Sequence, residues 1–454
     1  MLFQSAVWGW ASLLLCVVAQ AQSSTQAAMT TPIVPQRAVA QPPAALDSLR
    51  EMVLQSLMRN PDLAQAEAER LQSTARWQQA RAGVFSQLGL NADYGQENQH
   101  LGLNGKTNRY TQQQQVQLRL TQPLVDDGLL ARIRQARTQA LGADWSLVAM
   151  REQTMLKTIE LYAELLRQTR LMELARNNLK LHREYVAQMK AIARIDVGRA
   201  SDLPVAQSRV ALAESVMTSR LARLEAARAQ WRAHTTLPSP EQSAVEANTN
   251  VLPDLPAVDW PVSLDAAIEE TVQVSPQVQK ALTDAQASRE NWQNARASTL
   301  PKVGAELQNR FAKNQGGIFG EQRTWYAGVN LQWNWDAGAK YARQAAMAGI
   351  RSADESVDAQ VYKLRAAVES QWYELQASQA SLTSFQTYEQ QSQEVVSAYA
   401  EQFRIGRRSL LDVLNAENEL FTARSNALTT AVDVSLASWR LLSLRGLLSE
   451  ELGL

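Results

Sequence analysis

The two halves of this chain are long-range copies of one another, and each copy holds too little strand to close a sheet by itself. Asn60-Pro61-Asp62-Leu63, followed by Trp77 and Gln79-Ala80-Arg81-Ala82, recurs as Ser275-Pro276-Gln277-Val278, followed by Trp292 and Asn294-Ala295-Arg296-Ala297. The two prolines and the two tryptophans stand 215 positions apart. Asp126-Asp127-Gly128 returns as Asp336-Ala337-Gly338, and Val197-Gly198-Arg199-Ala200-Ser201 as Ile405-Gly406-Arg407-Arg408-Ser409. A repeat of this size makes the chain one duplicated architecture, with a first unit over 46–237 and a second over 263–454.

Within each copy the order is helix, two alternating strands, long helix, turn, helix. Leu88, Leu90, Ala92 and Tyr94 alternate with Gly89, Asn91 and Asp93, and Val116, Leu118 and Leu120 with Gln115, Gln117 and Arg119. That pattern predicts an antiparallel pair over about 87–95 and 114–122, joined by a polar loop. In the second copy Val303, Ala305 and Leu307 alternate with Gly304, Glu306 and Gln308, predicting a strand over about 302–311. Its partner, over about 325–335, sets Trp325, Ala327, Val329, Leu331, Trp333 and Trp335 against Tyr326, Gly328, Asn330, Gln332 and Asn334. Alternation of this length matches a tilted membrane strand of ~9–11 residues. Trp325, Trp333, Trp335 and Tyr94 are then candidates for an aromatic girdle at the lipid–water interfaces.

No proline falls between Pro123 and Pro204, and neither glycine nor proline between Gly349 and Gly406. A helix from about 129 to 194 would be ~100 Å long at ~1.5 Å per residue. Helices of that length belong to coiled coils and helical barrels, not to one compact core. On the second long helix Val368, Leu375, Leu382, Val396 and Phe403 share a heptad position, which Glu389 interrupts. The companion seam, Gln371, Ser378, Phe385, Ser392 and Tyr399, is smaller and more polar, which suits shallow lateral packing. Helices resume after turns at about 195–203 and 404–412, giving two antiparallel hairpins. Pro238, Pro240, Pro253, Pro256 and Pro261 mark 238–262 as the linker between copies.

Residues 1–21 read as a secretory signal, with an apolar stretch from Ala11 to Ala19 and an Ala19-Gln20-Ala21 ending. The Gln-, Ala- and Pro-rich run 22–45 reads as a flexible extension. Cys16, the one cysteine, lies in the signal, so a mature chain would carry no thiol chemistry. No later segment offers ~18 consecutive apolar residues. Lys+Arg and Asp+Glu are 45 each, so no net field recruits nucleic acid. His100, His182 and His234 are not at metal-ligand spacing, and neither a P-loop nor a G-x-S-x-G turn occurs. No catalytic residue, metal or cofactor is expected, and the chain does not read as an enzyme.

Two strands per copy give about four per chain. A membrane sheet cannot expose an edge, because unpaired backbone groups in hydrocarbon cost several kcal/mol each. Four strands are too few to close, since the smallest barrels have about eight. Several chains must therefore share one barrel: two would make about eight strands with a filled interior, and three about twelve around a water-filled bore. The alternative outside transport is a periplasmic coiled-coil scaffold carrying two decorative hairpins.

The stretch Phe403-Arg404-Ile405-Gly406-Arg407-Arg408-Ser409-Leu410-Leu411-Asp412-Val413-Leu414-Asn415-Ala416-Glu417-Asn418-Glu419-Leu420 resembles the TolC-like outer-membrane factors, and within them the type I secretion subgroup. Thr121-Gln122-Pro123-Leu124-Val125-Asp126-Asp127-Gly128 is similar to that family's strand-to-helix junction. The resemblance implies a mainly α fold with a membrane β part. A homotrimer would form a twelve-stranded β-barrel in the outer membrane of a Gram-negative bacterium, among its lipids, continued by a twelve-helix periplasmic α-barrel. It implies a periplasmic membrane-fusion adaptor and an inner-membrane ABC transporter as partners, with the chain itself a passive exit duct for exported protein. The runner-up is the outer-membrane component of a tripartite multidrug or metal efflux pump.

The two turns at the far ends of the hairpins carry the candidate sites. Gly198 and Gly406 suit a positive φ after a helix, and Ser201 and Ser409 suit the following N-caps. Asp412 completes Ser-x-x-Asp, so its carboxylate can serve simply to start a helix. The resemblance implies more: Val197, Gly198, Arg199 and Ser201, with Ile405, Gly406, Arg407 and Ser409, would dock the adaptor. Asp412, Asn415 and Arg408 would sit at a periplasmic gate, where three symmetry-related carboxylates attract cations. Asn415 stands where the family often has a second acid. Arg408 matches an arginine that helps hold the entrance closed, and the first-copy position of its expected acidic partner falls near Pro204. Gate and cap both remain open for Asp412.

Overall fold

A computed structural model describes residues 44–100, 108–195, 201–240, 263–314, 320–334 and 336–454. The signal, most of the extension, and the linker from 241 onward lie outside the described residues. The first copy begins with α1 (Ala44–Arg59) and α2 (Pro61–Ala82). They break at Asn60, whose side-chain oxygen accepts from the N–H groups of Asp62 and Leu63, while Pro61 takes the first helical position, where no N–H is needed. The second copy repeats the break at Ser275-Pro276, between α5 (Leu264–Val274) and α6 (Pro276–Ala297), although Ser275 makes no side-chain cap bond.

Four strands, β1 (Gln87–His100), β2 (Asn108–Val125), β3 (Lys302–Lys313) and β4 (Glu321–Gln332), form one antiparallel sheet in that order. β1 and β2 are longer than their alternation predicted, pairing as far as His100 with Asn108. Ladder bonds need only backbone, so a strand polar on both faces pairs well while losing its period-2 signature. β4 is shifted against expectation: it starts at Glu321 and stops at Gln332, so Trp333 falls beyond it, and Trp335 lies outside the described residues. Its partner β3 begins at Lys302, just after Pro301, which has no N–H to extend the ladder.

Register gives the sheet two unlike faces. Leu90, Leu118, Asn309 and Trp325 lie in one cross-strand row, and Leu88, Leu120, Leu307 and Ala327 in the next. Tyr94 and Trp325 stand on this face at 72% and 70% exposure, so a broad apolar band is uncovered in the single chain. The other face is polar. There Arg119 pairs with Glu306 at 3.0 Å and Arg310 donates to Gln115 at 3.1 Å.

Long helices continue from the sheet: α3 (Asp127–Ile195, 69 residues), α4 (Asp202–Thr235), α7 (Gly338–Arg404, 67 residues) and α8 (Leu410–Arg445), with a short α9 (Leu448–Glu451). Asp126 starts α3 by accepting from the N–H of Leu129. Near the sheet, neighbouring helices follow the order α2–α3–α6–α7, which is the strand order; toward the hairpin turns the order is α4–α3–α8–α7. Where these arrays meet, Leu49, Val53, Ile159, Trp231, Trp439 and Leu448 build the largest apolar core. Glu152 is buried at its edge and accepts from the N–H groups of Leu448 and Ser449, at 3.2 and 3.4 Å. Burial pushes its carboxyl up to about 7 against those two bonds. No helix among the described residues is long and apolar enough to cross a membrane.

Candidate functional site

The second hairpin turn is built by two complementary caps. Gly406 adopts φ +75, the N–H of Arg407 reaches the Gln402 carbonyl at 2.9 Å, and the N–H of Gly406 reaches that of Phe403 at 3.0 Å. This is the Schellman arrangement, and it stops α7 where only glycine takes that φ without penalty. Ser409 then starts α8: its hydroxyl oxygen accepts from the N–H of Asp412 at 3.2 Å and its O–H donates to the Asp412 carboxylate at 2.8 Å. The reciprocal bond thus runs hydroxyl to carboxylate, not carboxylate to the Ser409 backbone as in a capping box.

Arg408 lies between two groups of its own hairpin. Its guanidinium stands 3.9 Å from the Tyr399 ring centroid and 3.9 Å from an Asp412 oxygen. Within the chain its acidic neighbour is thus Asp412, four residues along the same turn. Asn415 is not left facing solvent alone: its side-chain oxygen accepts from Arg209 of α4 at 3.0 Å. Ile405 and Arg407 are exposed at the turn.

In the first turn Val197, Gly198 and Arg199 lie outside the described residues. Ser201 precedes α4 with φ −68 and ψ −22 and makes no side-chain cap bond, which corrects its expected N-cap role. A serine oxygen reaches the N–H groups of the next turn from extended backbone, as at Ser409 (φ −77, ψ 153), but not from helical backbone.

Behind the turns the two hairpins are joined by contacts that sequence reasoning missed. Leu410, Val413 and Leu414 of α8 are almost fully buried against Tyr185 and Met189 of α3 and Ala206 of α4. Above that core the Tyr185 hydroxyl donates to the Glu417 carboxylate at 3.3 Å. Burial raises the Glu417 carboxyl, and burial followed by the Glu417 charge raises the Tyr185 phenol. Nearby His182 is held below its ordinary value by burial and then by Arg209. The signal available in sequence was that Glu417 shares a helical face with Leu410, Val413, Leu414 and Leu420, an acid on an apolar stripe.

These parts make a four-stranded sheet with one apolar and one polar face, two open edges, and two long hairpins packed side by side down to their turns. The same chain matches the outer membrane efflux protein family over residues 53–237 and 267–447, one match per copy. The chain belongs to that family. It is similar to the outer membrane efflux protein BepC of Brucella suis biovar 1 (strain 1330), 25% identical over 331 residues that cover 70% of this chain and 71% of the relative. Its fold matches the CmeC outer membrane channel of Campylobacter jejuni with a TM-score of 0.74 at 14% identity, over 89% of this chain and 86% of that one. It matches the outer membrane protein VceC from Vibrio cholerae with a TM-score of 0.72 at 16% identity, over 88% and 96%. This TolC-like outer membrane efflux protein is thus a channel protein of the Gram-negative outer membrane with a periplasmic extension, and not an enzyme.

Proposed function

We propose that three copies of this chain close one twelve-stranded barrel and a twelve-helix tunnel, forming the passive exit duct of a type I secretion system. The observation that carries the reading is the four-stranded sheet with unpaired edges at β1 and β4, apolar on one face and polar on the other. Such a sheet in a membrane must find partners for both edges. Three sheets make about twelve strands, enough for a water-filled bore. The polar face carrying Arg119, Glu306, Arg310 and Gln115 then lines the duct, and Tyr94 and Trp325 meet lipid on the other side, with Trp333 beside them in the girdle. The indole N–H of Trp333 donates to the Thr299 carbonyl, an anchoring contact suited to that interface.

The two hairpin turns are the docking points for a periplasmic adaptor, which couples the duct to an inner-membrane ABC transporter. Asp412, Arg408 and Asn415 form the periplasmic entrance. Type I secretion is favoured by the stretch 403–420 quoted above. A second reading, drug or metal efflux, is favoured by the relative's description as an efflux protein. Outer-membrane fractions should hold a heat-dissociable trimer on gels. A deletion strain should lose a large secreted protein from its culture medium while keeping wild-type drug and metal tolerance. Lost tolerance with unchanged secretion would replace export by efflux, and a monomer in those fractions would refute the duct altogether.

A further inference from the structure

Tyr326 and Gly328, neighbours on one face of β4, are each out of place when taken alone. Tyr326 lies on the polar face of the sheet and is the one aromatic there among the described residues. Gly328 pairs with Glu306 inside the ladder, and its φ is not positive, so its backbone does not require glycine. Glycine inside a strand gives up side-chain packing and marks a close approach by another group. Here that group is the Tyr326 ring. A Cβ added at Gly328 would stand 2.5 Å from the phenol oxygen and 2.7 Å from the ring carbon that bears it.

Exposure agrees with that geometry. Tyr326 is 48% exposed, against 70% for Trp325 on the opposite face, and Gly328 is the one residue of β4 that is not exposed. Strand side chains ordinarily stand perpendicular to the sheet with some lean along the strand. Tyr326 leans far enough to lie down over Gly328. An aromatic ring over an edge-strand glycine restores the cover that the missing side chain leaves open. Two residues on, a smaller group does the same: Asn330 lies over Gly304, directly across the ladder, with its Oδ1 2.8 Å from where a Cβ would be.

We infer that Gly328 is a positioning residue that seats Tyr326 flat on the wall of the duct, and that this seat keeps the bore open within the membrane. The inference rests on the proposed trimer, in which the polar face lines the bore. Twelve strands ~4.8 Å apart and tilted ~40° give a circumference of about 75 Å, and so a radius of about 12 Å at the backbone. Three tyrosines standing off the wall at one level would each reach about half of that radius. In the same row Gly89 adds no side chain and Arg119 is tied back to Glu306. The width there is left to Gln308 and Tyr326, and Tyr326 is the longer.

The test is size-limited labelling of a cysteine beyond the ring, in a Cys16→Ser background because Cys16 is the chain's one cysteine. The site is Gln332→Cys, on the polar face six residues past Tyr326 and at the helix end of β4. Polyethylene-glycol maleimides of increasing size, added outside intact cells, should react up to a limiting size, read as a shift on gels. Adding Gly328→Val should lower that limit, and adding Tyr326→Ser as well should restore it. An unchanged limit with Gly328→Val would overturn the inference. A lowered limit that Tyr326→Ser leaves in place would overturn it too, since the added side chain itself would then be the obstruction. No labelling of the parent at any size would do the same, because the bore would already be shut. Unboiled gels report the trimer separately, and a monomer in the parent would overturn the duct and the seat together. Where Gly328→Val does not assemble, thermal midpoints of Gly328→Ala decide. That substitution should lower the midpoint beside Tyr326 and raise it in a Tyr326→Ser background, where only the entropic cost of glycine is left. A shift of the same sign in both backgrounds would overturn the inference.

Discussion

Substituting Asp412 and Ser409 one at a time separates an entrance charge from a helix cap, because the structure gives the two residues different halves of one contact. Asp412→Ala removes the carboxylate but leaves the Ser409 oxygen accepting from the residue 412 N–H. The lost pair with Arg408 is 3.9 Å long between side chains 34% and 43% exposed, so it contributes about 0–1 kcal/mol after screening. The first-turn carboxylate adds ~0.3–1 kcal/mol. Ser409→Ala removes the cap itself at a cost of ~1 kcal/mol and leaves the charge in place. The electrostatic effect on the bore runs the other way. Three carboxylates ~10 Å from a divalent cation in water attract it by about 2.5 kcal/mol, which one Debye length of screening at ~0.1 M salt reduces to about 1 kcal/mol. That corresponds to about a fivefold change in affinity. In planar bilayers Asp412→Ala should weaken divalent block from the periplasmic side about fivefold and alter single-channel conductance. Ser409→Ala should leave both within error while lowering thermal stability slightly. Equal effects from the two variants, or none from Asp412→Ala in intact trimers, would reduce Asp412 to a cap.

Other outcomes follow from the same geometry. Glu152, raised to about 7 by burial, favours its protonated form in the folded chain, so its contribution is fully present below the unfolded carboxylate value and is lost as pH rises through 7. Thermal midpoints between pH 5 and 8 should fall for the wild type and stay flatter for Glu152→Gln; parallel curves would refute that origin. Leu414→Ala empties a site with no exposure in the core joining the two hairpins, and should cost ~2–5 kcal/mol in detergent denaturation. Gly406→Ala meets no neighbour within 4 Å but keeps φ +75, so it should cost only ~1–2 kcal/mol of backbone strain, with the trimer retained. Combined substitution of Gly406 and Arg407 should lower adaptor cross-linking in vivo, and undiminished cross-linking together with normal export would remove the turn from the docking site.

The period-2 stretches, the long proline-free runs and the paired turns were legible in sequence because each is a local pattern repeated in both copies. Gly406 and Ser409 were legible for the same reason: a positive φ and an N-cap each restrict residue type at one position. What failed was what depends on a partner. β4 ends at Gln332 because β3 cannot extend past Pro301, and no reading of the β4 residues alone shows that. Ser201 follows the motif of Ser409 yet makes no cap, since its backbone is helical where a cap needs it extended.

Periodicity and capping act within a few residues, so the amino-acid sequence alone reveals a duplicated, mainly helical chain with four alternating strands and two hairpin turns. Only the fold brings together groups more than two hundred positions apart, Tyr185 with Glu417 and Arg209 with Asn415. It also decided that β1 and α2 end one side of the array and β4 and α7 the other. The physical reason is that lateral packing chooses among many helix faces of similar polarity, and that choice is made by shape and burial, which no single stretch of residues encodes.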